Sequence, residues 1–438
     1  MHSTQTQIDI NPEFKEALEL LENTNRSLFI TGNAGTGKST LLEYFKQTSK
    51  KSLAVLAPTG VAALNVDGQT IHSFFLIPPN ITPDKVLEHK LSAKRKKLIA
   101  SLDMIIIDEA SMLRADLLDC IDVSLRHYRK EESLPFGGVQ MVFIGDLYQL
   151  PPVVAGQTEK DMFRSLYQSP YFFSAKVMQE LEMSVMELEK IYRQTDNQFI
   201  NLLNKVRDNR ISHQELDFLN QRCNPELQAN DDFVITLTTT NAAADKKNLK
   251  ELAKLDSAHQ TYYGETEGDF GKRSLPTQKE LELKEGAQVM LLNNDAAGRW
   301  VNGSIGVITD ISFDDIEGDD VLTVKLDTGK SVKITKHSWN IHKYFFNEDT
   351  QKIDTEIAGS FHQFPLRLAW AVTIHKSQGK TFEKVNIDIG WGAFAHGQVY
   401  VALSRCTSLE GIALRKPIQK HHIIMDHRVT QFFKAMNQ

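Results

Sequence analysis

Over the first 180 residues, short continuous apolar runs alternate with stretches of helical period. Ser27–Thr31 (Ser-Leu-Phe-Ile-Thr), Ile105-Ile106-Ile107 and Met141–Ile144 show no polar alternation, so each predicts a strand covered on both faces. Between them, Leu117, Leu118, Ile121, Leu125 and Tyr128 fall on one face of a helix predicted over Ala115–Arg129, and Pro12–Leu21 predicts an amphipathic helix. Strand and helix in turn predict a parallel sheet with helices packed on it. Later the grain changes. Gln288–Leu292, Ser304–Ile311, Val321–Leu326 and Ser331–Thr335 read as short strands, with Asp327-Thr328-Gly329-Lys330 as a hairpin turn, which predicts a small β-barrel-like insertion. A length of 438 residues exceeds what one core serves and implies two or three domains.

Polar chemistry gathers at the strand ends. Gly32-Asn33-Ala34-Gly35-Thr36-Gly37-Lys38-Ser39 fits G-x-x-x-x-G-K-[ST] between a predicted strand and a helix over Ser39–Phe45. In that order the backbone N–H groups curl around phosphates, Lys38 neutralises them, Ser39 holds Mg²⁺ and the helix N-terminus faces the anion. Asp108 and Glu109 follow the Ile105–Ile107 run, where Asp108 would join the Mg²⁺ shell and Glu109 would polarise a water. Together the two segments imply hydrolysis of a nucleoside triphosphate. The Asn204-Lys205 pair continues Val-Arg and not x-Asp, which argues against a guanine reader. After Met141–Ile144 comes Gly145-Asp146-Leu147-Tyr148-Gln149, in which Gln149 either senses a γ-phosphate or bonds its own loop.

Bulk charge adds little: a net charge of −6 gives no support to nucleic-acid binding, so any phosphate surface must be local. Three cysteines, Cys120, Cys223 and Cys406, lack metal or disulfide spacing and fit a reducing compartment. Neither a leader nor an 18-residue apolar run is evident, which predicts an intracellular protein with no membrane partner. The basic run Lys90–Lys97 reads as a solvated helix face, with contact to duplex phosphates as the alternative, and the histidines at 421, 422 and 427 lack a second ligand set for a metal.

Nine segments then follow one another in an informative order. They are Gly35-Thr36-Gly37-Lys38-Ser39, Ala57-Pro58-Thr59-Gly60-Val61-Ala62-Ala63, Thr70-Ile71-His72-Ser73-Phe74, Ile107-Asp108-Glu109-Ala110, Pro135-Phe136-Gly137-Gly138, Gly145 to Pro152, Leu188-Glu189-Lys190-Ile191-Tyr192-Arg193-Gln194, Thr373-Ile374-His375-Lys376-Ser377-Gln378-Gly379 and Tyr400-Val401-Ala402-Leu403-Ser404-Arg405. The chain resembles the Pif-family DNA helicases of superfamily one, near the RecD and Dda branch. That resemblance implies an α/β fold of two RecA-like P-loop domains: residues 1–180 with a wedge segment at about 64–80, then 181–248 with 366–430, and an inserted 249–365 bearing an SH3-like β-barrel that swings or closes on DNA. It implies ATP and Mg²⁺ as cofactors, with ATP held at Gly35, Thr36, Gly37, Lys38, Ser39, Thr40, Gln378 and Gly379. Arg193 resembles an arginine finger of the second domain and Arg405 a second γ-phosphate contact; the alternative for either is a surface salt bridge.

By the same resemblance, single-stranded DNA and its junctions with duplex are the partners, with 5′-to-3′ movement by a monomer, or by a DNA-induced dimer. Duplexes, G-quadruplexes and RNA–DNA hybrids are the implied substrates, in replication, repair, recombination or telomere maintenance. Nucleoid, nucleus and mitochondrion are the matching sites of action. Pro58, Thr59 and Gly60, then Thr239, Thr240 and Asn241, then His375, Lys376 and Ser377 are the donor-rich loops expected on the strand. His72, Ser73, Phe74 and Phe75 are candidates for stacking or strand separation, although a Phe pair more often belongs to a core. Where relatives carry an adenine-reading glutamine, this chain has Asn11-Pro12-Glu13-Phe14, with Gln5 and Gln7 out of register.

Overall fold

The computed structural model describes residues 10–436 apart from 79–80, 89, 155, 195, 224–232, 272–273, 316–317, 391 and 394, so the end of the 64–80 segment and Gln5 and Gln7 lie outside the described residues. Six parallel strands form the first sheet, in the order Gln69–Thr70, Leu53–Ala57, Met104–Ile107, Gln140–Ile144, Ser27–Gly32 and Met183–Leu188. Ser27–Gly32, Met104–Ile107 and Gln140–Ile144 are buried throughout, which explains why their sequences are apolar without alternation. Asn11 caps the helix Pro12–Asn23 by accepting the Phe14 N–H, and the helices Lys38–Thr48 and Ala115–Arg129 follow their strands as expected.

Two boundaries differ from the sequence expectation. Residues 181–188 do not begin the second unit: Met183–Leu188 pairs in parallel with Ser27–Gly32 and forms an edge of the first sheet. Parallel partners lie far apart in sequence, so nothing local marks the pairing. Likewise, the helix His427–Met436 follows the second unit in the chain but packs on the first. Val429 joins the first core, while Phe433 lies 5.6 Å from Tyr148 with rings 3° from parallel.

The second RecA-like unit holds four parallel strands, ordered Ala371–Thr373, Ile235–Thr238, Val385–Asp388 and Ile412–Leu414. Phe199, Leu203, Leu237 and Val401 are among the residues of its core. Between its halves, an antiparallel five-stranded sheet runs in the order Ser331–Ile334, Asp319–Leu326, Ile305–Asp314, Gln288–Leu291 and Leu366–Leu368. Gly329, at φ +80°, makes the turn at 327–330.

The longest strands are ones the sequence does not announce. His337–Asn347 and Lys352–Gln363 form a hairpin arm that leaves the insertion and reaches the first unit. There, the edge strand Gln69–Thr70 pairs only with Leu56 and Ala57, so the Val55 N–H turns instead to the Tyr344 hydroxyl at 3.0 Å. Arg95 donates to the Tyr344 carbonyl at 2.9 Å and lies over the Phe74 ring. The run Lys90–Lys97 is therefore not simply a solvated face: Arg95 is buried, and Lys97 pairs with Glu348 of the arm at 3.0 Å. Among the described residues no helix is long and apolar enough to cross a membrane.

Candidate nucleotide cleft and nucleic-acid loops

Gly35 and Gly37 take φ of +86° and +85°, which lets the loop after Ser27–Gly32 turn its N–H groups toward the start of the helix Lys38–Thr48. Lys38 donates from Nζ to the carbonyls of Gly32 (2.8 Å) and Asn33 (2.9 Å). Burial lowers its pKa, and Asp146 and Glu109 oppose that shift. Thr36 is buried, whereas Ser39 and Thr40 stand exposed on the first turn.

Asp108 and Glu109 leave the end of Met104–Ile107. Glu109 sits at φ 50°, a left-handed conformation that is uncommon for a residue with a Cβ and that turns its carboxylate off the strand direction. Burial, and then the neighbouring Asp108, push the Glu109 carboxyl up to about 7, with Lys38 and Arg405 acting the other way. Burial also raises Asp108. These acids are held where added positive charge would be welcome. The hydroxyl of Ser39 and the carboxylate of Asp108 are hard oxygen donors of the kind Mg²⁺ takes, so the residues present fit that ion.

From the second unit comes a buried cation. Arg405 is 1% exposed and donates to the carbonyls of Val401 (3.0 Å), Ser377 and Lys380 and to the Ser404 hydroxyl (2.9 Å). Burial, then Arg193, pull its guanidinium down to about 9. Arg193 is placed differently from a finger rooted in that unit. Its backbone lies on the phosphate loop, where the Tyr192 N–H donates to the Gly35 carbonyl at 2.9 Å, and only its guanidinium reaches across, to the carbonyls of Ser404 (3.3 Å) and Gly379 (3.5 Å). Neither arginine makes a carboxylate salt bridge among the described residues. Two like charges, one buried and one half-buried, brought together on carbonyls suit a polyanion. Beside them, Gly379 is exposed and Gln378 has a buried Nε2 without a partner.

Three further residues complete the cleft and escape sequence reasoning. Asp146 is 1% exposed and accepts both the Tyr148 N–H (3.0 Å) and the Gln149 side chain (3.2 Å), so Gln149 is tied to a carboxylate and not to its own backbone. Arg207, at the end of the helix Asn197–Arg207, lies 4.1 Å from the Tyr148 ring centre and 3.5 Å from Asp146. Burial alone would lower its pKa, but Asp146 prevails and raises it. Tyr400 accepts the Ala34 N–H at 3.2 Å, and the Asn33 amide donates to Asn204 at 3.1 Å, so the phosphate loop is bonded directly to the second unit. The Asp146 position was visible as a polar residue after a buried strand and Tyr400 as the first residue of the Tyr400–Arg405 segment, though neither had a role assigned; Arg207 had no comparable mark. Asn11, in the place of the missing glutamine, has its carboxamide engaged by the Phe14 N–H and Tyr192 Oη.

The loops expected on a nucleic acid gather at matching strand ends. Thr373 pairs with Thr238, which sets residues 239–241 beside 375–377. The hydroxyls of Thr59 and Thr240 cap the helices that follow, while Gly60, Thr239 and Asn241 keep exposed surface, as does Pro58. His375 is half-buried and Lys376 exposed. Ser377 is not available: it is fully buried and donates to the Ile374 carbonyl at 2.8 Å. Phe74 and Phe75 are not base platforms here either. At 0% and 3% exposed they pack edge to face in the first core, as their hydrophobicity dictates. His72 is half-buried against the Ile77 carbonyl, at 3.0 Å, and Ser73 is exposed.

Hydrolysis assembled from groups on two RecA-like units is the mark of a motor ATPase, and fold and cleft place the chain in that class. The model of the PIF1-like helicase family matches residues 7–217. The "ATP-dependent DNA helicase Pif1" of Bdellovibrio bacteriovorus is 34% identical over 438 residues, covering 98% of this chain and 92% of that protein. Among solved structures, Pif1 from Bacteroides sp in complex with ADP-AlF4 superposes with a TM-score of 0.91 at 38% identity, covering 98% of both chains. Bacteroides Pif1 bound to ssDNA, at the same 38% and covering 98% of this chain and 97% of that one, gives 0.70. The chain belongs to the PIF1-like helicase family and is an ATP-dependent helicase.

Proposed function

We propose that the protein moves 5′ to 3′ on single-stranded DNA and separates duplex or folded DNA as it hydrolyses ATP. The observation that carries this reading is the pair of guanidiniums held together on carbonyls in the cleft, the half-buried Arg193 rooted beside the phosphate loop and the buried Arg405 of the second unit. In this scheme the N–H groups of the loop and Lys38 hold the β- and γ-phosphates. Glu109 orients and deprotonates the attacking water, and the two arginines stabilise the charge that spreads over the transferring phosphoryl group. Mg²⁺, held by Ser39 and Asp108, would supply further neutralisation of the phosphates. Gln149, tied to Asp146 and through it to Arg207, gives the γ-phosphate a route to the second unit.

DNA is assigned to Pro58, Thr59 and Gly60 of the first unit and to Thr239, Thr240, Asn241, His375 and Lys376 of the second, with His72 and Ser73 beside the first. Equal identity but lower structural similarity to the DNA-bound Bacteroides protein supports a reading in which the 249–365 insertion changes position when DNA enters. A monomer contains every group the scheme uses. The test is strand separation on partial duplexes with a 5′ or a 3′ single-stranded tail, with Lys38→Ala as control. Unwinding from the 5′ tail alone is the expected result. If neither tail supports unwinding while single-stranded DNA still stimulates ATPase, the protein is a translocase or switch and the proposal is wrong.

A further inference from the structure

Beside the strand-end loops lies a second group of cations with no carboxylate salt bridge among the described residues. Arg367, on the strand Leu366–Leu368 opposite Met290, donates to the Pro276 carbonyl, and its Nε is buried without a partner. Lys380 follows Gly379 and donates to the side chain of Asn302. Its stem packs against Gly303, on which a Cβ would stand 3.4 Å from the Lys380 Cβ. Lys376 is exposed on the loop that follows the strand Ala371–Thr373 of the second unit. These charges disfavour one another. Burial, then Arg367, bring Lys380 down to about 8 and also lower Lys376, where Asp245 offsets part of the shift; burial brings Arg367 to about 10.

Cations kept together on neutral acceptors leave capacity for an anion. At present, neutral groups of the chain fill that role. Residues 274–277 run between the first unit and the sheet of the insertion: a Cβ on Gly60 would stand 2.9 Å from the Ser274 Cα, the Pro276 carbonyl takes the Arg367 guanidinium, and Thr277 donates to the Leu366 carbonyl at 2.8 Å. One segment thus covers Gly60 and Arg367 together, and Gly60 lies on a loop assigned to the strand.

We propose that Arg367 and Lys380, with Lys376, form a phosphodiester-binding site for single-stranded nucleic acid, and that residues 274–277 cover it until a strand displaces them. This rests on the nucleic-acid reading above. The test is the salt dependence of binding of a fluorescein-labelled oligo(dT), without nucleotide, by anisotropy. For single strands each neutralised phosphate contributes about 0.7 to the slope of log K against log salt. Arg367→Ala and Lys380→Ala should each flatten the slope by about that amount, the double variant by about 1.4, and Arg367→Lys should keep it. Because Lys380 is only half-buried, Lys380→Ala carries the test alone if Arg367→Ala fails to fold. Slopes parallel to wild type in the folded variants, with lower melting temperature only, would show these cations to be structural and overturn the site. Absence of salt-dependent binding by the wild type would instead sink the nucleic-acid reading and the site with it.

Discussion

The loop after Leu53–Ala57 in the first unit and the loop after Ile235–Thr238 in the second are built alike, each ending a buried parallel strand with a threonine that caps the next helix. The chemistry of the two units is nevertheless divided. Glycines, Lys38 and the Asp108–Glu109 pair belong to the first, while Arg405, Arg207 and Tyr400 project from the second toward them. A repeated scaffold suits two equivalent grips on one polymer. On the proposed roles of these residues, hydrolysis would depend on how closely the two units approach.

That division can be broken from either side. The largest effect is expected for Lys38→Ala, which should abolish nucleotide binding and phosphate release together, as measured by equilibrium binding of a fluorescent ATP analogue and steady-state ATPase. Removing a cation where the two sides meet should act differently: Arg405→Ala on the second unit, or Arg193→Ala beside the phosphate loop, should keep ATP and DNA binding near normal and lower DNA-stimulated turnover by about 10³-fold. Unchanged stimulation would make those arginines structural. Glu109→Gln should bind ATP as wild type and hydrolyse it about 10²- to 10⁴-fold more slowly, and normal single-turnover rates would remove it from the role of base. Smallest are the paired caps. Thr59→Ala and Thr240→Ala should each cost about 1 kcal/mol in chemical denaturation, a near-equality that tests whether the two loops are equivalent.

What could be read from the chain follows the distance over which each feature is encoded. The phosphate loop and Asp108–Glu109 are legible because a strand, a turn and a helix specify them within a few residues. Gln149 was visible for the same reason, but Arg207, which meets its partner Asp146, lies on a helix whose approach only the fold determines. Phe74 and Phe75 misled because an apolar pair beside a polar motif reads equally as platform or core, and burial decides it. The arm 337–363 went unread because its strand faces alternate between neighbours: Trp339 serves the second core and Tyr344 the first, so no single apolar period survives. The Met183–Leu188 edge failed for a different reason, since its partner is at the other end of the unit.

The hairpin arm also has a mechanical meaning. Seven residues of strand separate His337 from Tyr344, about 24 Å at roughly 3.4 Å per residue, so the pair of strands forms a lever whose base is in the insertion and whose seat is Tyr344. A tilt of about 10° at the base would carry Tyr344 about 4 Å, further than any hydrogen bond stretches. A small rotation of the insertion would then break the Tyr344–Val55 bond instead of straining it.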